Sequence, residues 1–211
     1  MAYYKVTKKQ SGAIVPTFTE TVIADNSSRN ASFTFDYDYH NYDFLKFKIY
    51  NGATAKYLYI LTTPSTIDAI FDITDVVCFN DYNTNRYSCY SQSNLTWTRT
   101  SSRNLDIYEV IGANCNNATV TETELYKATA RTSTAVTVTT QENLMNFDWI
   151  MFSCNSSAHD ELQPCNNIYT SVNHIVPYMF NGYNTDIYEV TVGTNTISAG
   201  KYCYIAGIKF T

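Results

Sequence analysis

The heptapeptide NYDFLKF at 41–47 returns, 105 positions on, as NFDWIMF at 146–152. Both copies read Asn, aromatic, Asp, aromatic, aliphatic, any residue, Phe, and their surroundings agree too. SFTF (32–35) precedes the first and AVTV (135–138) the second. IYEVIG closes the first and YIAGIK the second, each near a glycine. Counted from its Asn, the first copy reaches Ile107 after 66 residues, and the second reaches Tyr204 after 58. A chain of 211 residues has room for one large β domain or for two of roughly 100 residues, each with its own core. The repetition selects the second arrangement, with a boundary in ANCNNAT at 113–119. The pentapeptide DIYEV also occurs twice, at 106–110 and 186–190, but its spacing of 80 disagrees with 105. The second DIYEV is therefore a coincidence or a neighbouring strand.

The copies belong to strands. In ASFTFDYDYH, Phe33, Phe35, Tyr37 and Tyr39 alternate with Ser32, Thr34, Asp36 and Asp38. In DFLKFKIY, Leu45, Phe47 and Ile49 oppose Lys46 and Lys48. Period two is the signature of a half-buried strand. It continues through KYLYILT, NLTWTRT, TAVTVTT and KYCYIAGIKF, with turn-forming Asn-Gly pairs at 51–52 and 181–182. STIDAIFDITDVV at 65–77 fits a strand or a short helix equally well. Composition agrees: charged residues are only 16%, while the chain holds 29 Thr, 21 Asn and 19 Tyr. Thr and aromatic residues suit a pleated surface. The expected fold is all-β: two tandem antiparallel β-sandwich (jelly-roll-like) domains at 19–116 and 117–211, behind a short N-terminal arm at 1–18.

Within the repeated phrase the residues read as structural. Leu45 with Phe47, and Ile150 with Phe152, alternate inward to anchor the sandwich. Asn41 and Asp43, and likewise Asn146 and Asp148, are short acceptors for backbone N–H groups where a loop meets a strand. Tyr42, Phe44 and Trp149 are left to cover an edge or a subunit contact.

Net charge is −5, yet Lys5, Lys8 and Lys9 lie in an opening stretch whose first acid is Glu20. The remainder repels phosphate, which disfavours nucleic acid as a partner. The basic start is a candidate attachment point. No apolar run follows it and no stretch approaches 18 apolar residues, so the chain is expected to be made in a reducing cytoplasm without membrane insertion. Its six cysteines lack CxxC spacing and are expected to be free thiols.

No motif signals a reaction. His40, His159 and His174 form no HExxH, there is no GxSxG elbow, and the seven glycines make no phosphate cradle. Asp36 and Asp38 share a strand face, which a glycosidase pair could use, and His159-Asp160-Glu161 with His174 has metal-ligand residue types. The Asp36–Asp38 face could equally hold a metal, but both groups read more simply as solvated polar residues, so neither enzyme nor cofactor is expected. The loops are more distinctive. NDYNTNRYSCYSQSN (80–94) and PYMFNGYN (177–184) mix Tyr with Asn and Ser, as antibody paratopes do. Tyr82, Tyr87, Tyr90, Tyr178, Phe180 and Tyr183 are candidate ligand-binding residues for a glycan. Filling a subunit interface or the core margin is the alternative.

An alternating strand, a loop, NYDFL or NFDWI, and a closing YIAGIKF resemble the receptor-binding and fibre-head modules of tailed bacteriophages. The resemblance covers 19–211 as two copies, although the first closes as IYEVIG without the Lys. It implies a virion protein synthesised in the bacterial host cytoplasm, assembled as a homotrimer with other virion proteins. Such a protein attaches through 1–18 and contacts bacterial surface glycan. A capsid decoration or tail-lattice protein, and a glycan-degrading tailspike, are the other readings.

Overall fold

The computed structural model describes residues 14–81, 86–129, 136–155, 162–169, 174–178, 188–192, 195–200 and 202–211. It is predominantly β, in four antiparallel sheets with a single helix among the described residues.

The first half contributes β1 (Phe18–Asp25), β2 (Ser32–Thr34), β3 (Phe44–Asn51) and β4 (Lys56–Thr62), then α1 (Pro64–Thr74). After these come β5 (Val76–Asp81), β6 (Arg86–Ser93), β7 (Thr96–Arg103) and β8 (Leu105–Cys115). The second half contributes β9 (Val120–Lys127), β10 (Val136–Thr139), β11 (Trp149–Asn155), β12 (Leu162–Tyr169), β13 (His174–Tyr178), β14 (Tyr188–Val192), β15 (Thr196–Gly200) and β16 (Tyr202–Phe210). The first sheet runs β1-β8-β3-β4 and the second β2-β7-β6-β5. The third runs β9-β16-β11-β12 and the fourth β10-β15-β14-β13. Adding eight to each number in the first half gives the second half. The phrase that repeats in sequence opens β3 and β11, the third strand of each set. DIYEV does not repeat in this sense, since the first copy lies in β8 and the second leads into β14.

Register makes the equivalence residue by residue. Phe47 pairs with Val110 as Phe152 pairs with Ile205, and Leu45 with Gly112 as Ile150 with Gly207. The closing strands therefore align on their glycines, which sets Tyr204 opposite Glu109 in the comparison. Counting to Ile107 misplaces the alignment by two residues.

Alternation explains the core of the first half. On β3, Leu45, Phe47 and Ile49 are buried and point one way, between Lys46 and Lys48 pointing the other. Phe47 meets Phe79 of β5 and Trp97 of β7, so the first two sheets share an interior. In the second half, Ile150 and Ile205 are buried on one face of the third sheet, and Val138 and Ile197 of the fourth are buried too. The opposite face of the third sheet is also buried. Its Met151, Tyr204, Ala206, Ile208 and Phe210 join the first half's hydrophobic cluster, so the two interiors are not independent.

The segment that reads as strand or helix is α1. Thr63 caps it by accepting the Thr66 N–H at 3.2 Å, Pro64 opens it, and Asp75 ends it in the left-handed conformation. A cysteine expectation needs correction as well. Cys78 and Cys89 face each other across β5 and β6 and form a disulfide, where free thiols were the expectation; Cys115 is free.

Candidate functional site

The repeated residues build the same joint twice. In the first half a 3-10 turn at Tyr39–Asn41 is capped by Asp38, which accepts the His40 N–H at 3.0 Å. In the second, a turn at Leu144–Asn146 is capped by Asn143, which accepts the Met145 N–H at 2.9 Å. The next residue, Tyr42 or Phe147, lays its ring on a glycine of the closing strand. A Cβ on Gly112 would stand 2.4 Å from Tyr42, and one on Gly207 would stand 2.4 Å from Phe147. Asp43 Oδ2 then accepts the Cys115 N–H at 2.8 Å, and Asp148 Oδ2 accepts the Phe210 N–H at 2.8 Å. Asp43 and Asp148 thus play the anticipated part. Asn41 and Asn146 are exposed, and the turn-capping acceptors stand three residues earlier. These are joints, and the carboxylates of Asp43 and Asp148 are taken up by backbone.

Two titratable clusters lie along α1. His40 Nδ1 lies 2.6 Å from Asp38 Oδ1 and its Nε2 lies 3.0 Å from Asp68 Oδ2. Tyr39 stacks on the imidazole and donates its hydroxyl to Asp68 at 2.8 Å. Desolvation opposes charge on this imidazole, but the hydrogen bond to Asp38 and the charge and hydrogen bond of Asp68 outweigh it and raise the His40 pKa. Asp38, one of the paired carboxylates, is therefore committed to the turn and to His40, while Asp36 is exposed. On β9, Glu122 accepts from Thr63 Oγ1 (3.0 Å), Ser65 Oγ (3.1 Å) and Tyr204 Oη (3.2 Å). Burial drives its pKa up, the three donors notwithstanding. This carboxylate ties the start of α1 to the third sheet.

The outward face of the first sheet combines ion pairs with tyrosine rings. Lys46 pairs with Glu20 at 2.9 Å, and Lys48 with Glu109 at 2.9 Å. The ammonium of Lys48 sits over the rings of Tyr57 (4.9 Å) and Tyr108 (4.7 Å), Lys46 over Tyr59 (5.6 Å), and Arg29 over Tyr50 (4.9 Å). Tyr57 is 40% exposed, Tyr59 41% and Val22 47%. Each cation has an acid or a ring beside it, leaving a surface with little net field and much aromatic area.

The tyrosines singled out from the loops are dispersed. Tyr90 is wholly buried, in ring contact with Phe33, Phe79 and Trp97, and its hydroxyl accepts the Ile107 N–H at 3.0 Å. Its place in a ligand-binding rim gives way to a place in the core, because Tyr90 shares the inward face of its sheet with Phe79. Tyr87 is half-buried on β6, beside Asn80 on β5. Tyr178 pairs with Tyr188 on the edge strand β13. Tyr82, Phe180, Tyr183, Lys5, Lys8, Lys9, His159, Asp160 and Glu161 lie outside the described residues. The outward tyrosines of β4 had a signal in KYLYILT, where Tyr57 and Tyr59 alternate with Leu58 and Ile60.

Among the described residues no group of three or more His, Cys, Asp or Glu residues is placed to hold a metal ion. No helix among them is long and apolar enough to cross a membrane. No protein-family model matches the chain, and no curated protein or solved structure matches it either.

Proposed function

We propose that the chain is a structural, non-enzymatic protein of a tailed-bacteriophage virion, a tail or head fibre component that binds by surface rather than by reaction. In this reading the segment 1–18, with Lys5, Lys8 and Lys9, attaches the protein to other virion proteins. Residues 19–116 and 117–211 form two β-sandwich domains that associate as a homotrimer and meet bacterial surface glycan. The β1-β8-β3 and β2-β7 strand orders support a jelly-roll-like reading of each sandwich, and the β3-β4 and β5-β6 hairpins depart from that pattern. The observation that supports the reading is the duplicated joint. Two β units copied down to their Asp and Gly clamps use their repeated polar residues to stiffen a scaffold.

The test has two arms. Light scattering on the full chain should give three times its 24.0 kDa mass, and labelled protein should decorate host cells in a manner that purified surface glycan competes away. A trimer without host binding would favour a decoration or lattice protein, and a monomer at micromolar concentration would overturn the reading.

A further inference from the structure

The second half carries cysteines on three neighbouring strands, and backbone register brings two of them together. β11 and β12 pair antiparallel as Ile150 with Tyr169, Met151 with Ile168 and Phe152 with Asn167. The same register carried on would set Cys154 opposite Cys165. It shifts after Phe152, so that Gln163 stands opposite Cys154, and Pro164, Cys165 and Asn166 stand against Ser153 alone. Pro164 accounts for the shift. Proline has no N–H to give a ladder and belongs on an edge strand or at a bulge, and β12 is an edge strand. In either register Cys165 is a cross-strand neighbour of Cys154.

The repeat supplies a second, independent observation. With Phe47 aligned on Phe152, Ile49 corresponds to Cys154. With their partners Ile60 and Asn167 aligned, Leu58 corresponds to Cys165. Ile49 and Leu58 are direct partners across β3 and β4, Ile49 wholly buried and Leu58 packed against the same interior. One copy keeps an apolar pair where the other keeps two cysteines. Cys165 also follows Cys154 by 11 residues, the separation at which Cys78 and Cys89 are bridged across β5 and β6. The other cysteines are poorer partners. Cys203 is the extra residue of a bulge beside Tyr202 and corresponds to Tyr108, which the first half turns to the outward face with Lys48. Cys115 is free, at the end of β8.

We propose that Cys154 and Cys165 form a second disulfide, closing the β11–β12 hairpin. The oxidant is a low-molecular-weight disulfide, for which oxidised glutathione serves. One cysteine thiolate attacks it, expels a glutathione thiolate and forms a mixed disulfide; the other cysteine thiolate then displaces the second glutathione. Two cysteine thiols are oxidised, one glutathione disulfide is reduced to two thiols, and the cysteine protons pass to them. The bridge fastens β12, whose backbone runs beside β4, β5 and α1. It does not depend on the virion reading.

The test counts thiols and maps links in the full chain. After equilibration with oxidised glutathione, wild type unfolded without reductant should show two titratable thiols, its six cysteines less two bridged pairs. Cleavage at acidic residues, of which Asp160 and Glu161 lie between the two cysteines, should release linked peptides carrying Cys154 and Cys165 that part on reduction. Cys154→Ser and Cys165→Ser should each expose one thiol more than wild type, and the double substitution should restore the wild-type count. The peptide map needs no substituted chain, so it decides even where a variant fails to fold. Four titratable thiols in wild type, a link from Cys154 to Cys203, or glutathione retained on either cysteine would overturn the bridge.

Discussion

At the scale of single residues, Gly112 and Gly207 are fixed by what lies on them. The Tyr42 and Phe147 rings rest where a side chain would begin. Replacing Gly112 by Ala forces the ring off the strand or the strand off its register, an overpacking cost of about 1–3 kcal/mol. Chemical denaturation should show that loss. Adding Tyr42→Ala should make the double variant less unstable than the two single losses summed, because the second change vacates the space the first needs. Strict additivity would mean that the contact carries no strain. The aspartates make a parallel case: removing Asp43 or Asp148 deletes a carboxylate acceptor for a backbone N–H, worth about 1.5–3 kcal/mol. This joint was half legible. Asn, aromatic, Asp announced itself by repeating, and the acceptor role of Asp follows from its length. The glycines repeat too, one near the close of each copy, but their role was not legible, since a glycine in a strand reads as a weak point until the ring above it is known. Tyr90 misleads for a related reason. A tyrosine among Ser, Asn and Tyr looks like rim, yet the middle of β6, Ser88 to Tyr90, is buried, with Tyr90 facing the interior beside Phe79.

At the scale of elements, α1 departs from the repeat, and its anchoring should respond to pH. His40 has a folded-state pKa above the free value of 6.5. Its contribution is therefore complete below the unfolded value and is lost as pH rises through the folded one. Glu122 acts with the same sign, because a carboxylate whose folded pKa is raised favours the fold most when protonated. The urea midpoint should accordingly fall as pH rises through neutrality, and His40→Gln should flatten that slope. A variant that keeps the full slope would assign it elsewhere. Glu122→Gln should be at least as stable as wild type at neutral pH, since Gln keeps the acceptor for Thr63 and Tyr204 without a buried charge. Glu122→Val should lose about 1–3 kcal/mol for each hydroxyl left unsatisfied. Sequence could not decide α1 because Ile67, Ile70 and Phe71 have helical spacing while the Val76-Val77 run beyond them favours a strand. Both signals are correct: the helix ends at Thr74 and β5 begins at Val76. The disulfide was hidden differently. Cys78 and Cys89 stand 11 residues apart without a motif, and only the β5–β6 register makes them opposite.

At the scale of the whole molecule, the two copies differ on their outward faces as well as at α1, and the sequence carries that signal. Outward positions hold Lys46 and Lys48 in the first copy but Met151 and Ser153 in the second. A Met where the other copy keeps a Lys marks a face that no longer meets water. The consequence is a junction in which Phe18, Phe44, Trp149 and Phe210 form one aromatic group. The chain has two tryptophans, and they report on different places: Trp97 lies in the first interior and Trp149 at the junction. If the junction couples the halves, Trp97→Phe and Trp149→Phe proteins, each with one remaining indole, should unfold at the same denaturant concentration once corrected for the change in midpoint each substitution causes. Phe44→Ala removes the contact from the other side, at a cost of about 3–5 kcal/mol for a buried ring. The indole at 149 should then report an earlier transition than the one at 97, splitting one cooperative step into two. Coincident transitions in the Phe44→Ala background would show that α1 and Glu122 hold the halves together without the aromatic group. Separate transitions in the unaltered chain would show that the halves fold independently and that the seam is only contact.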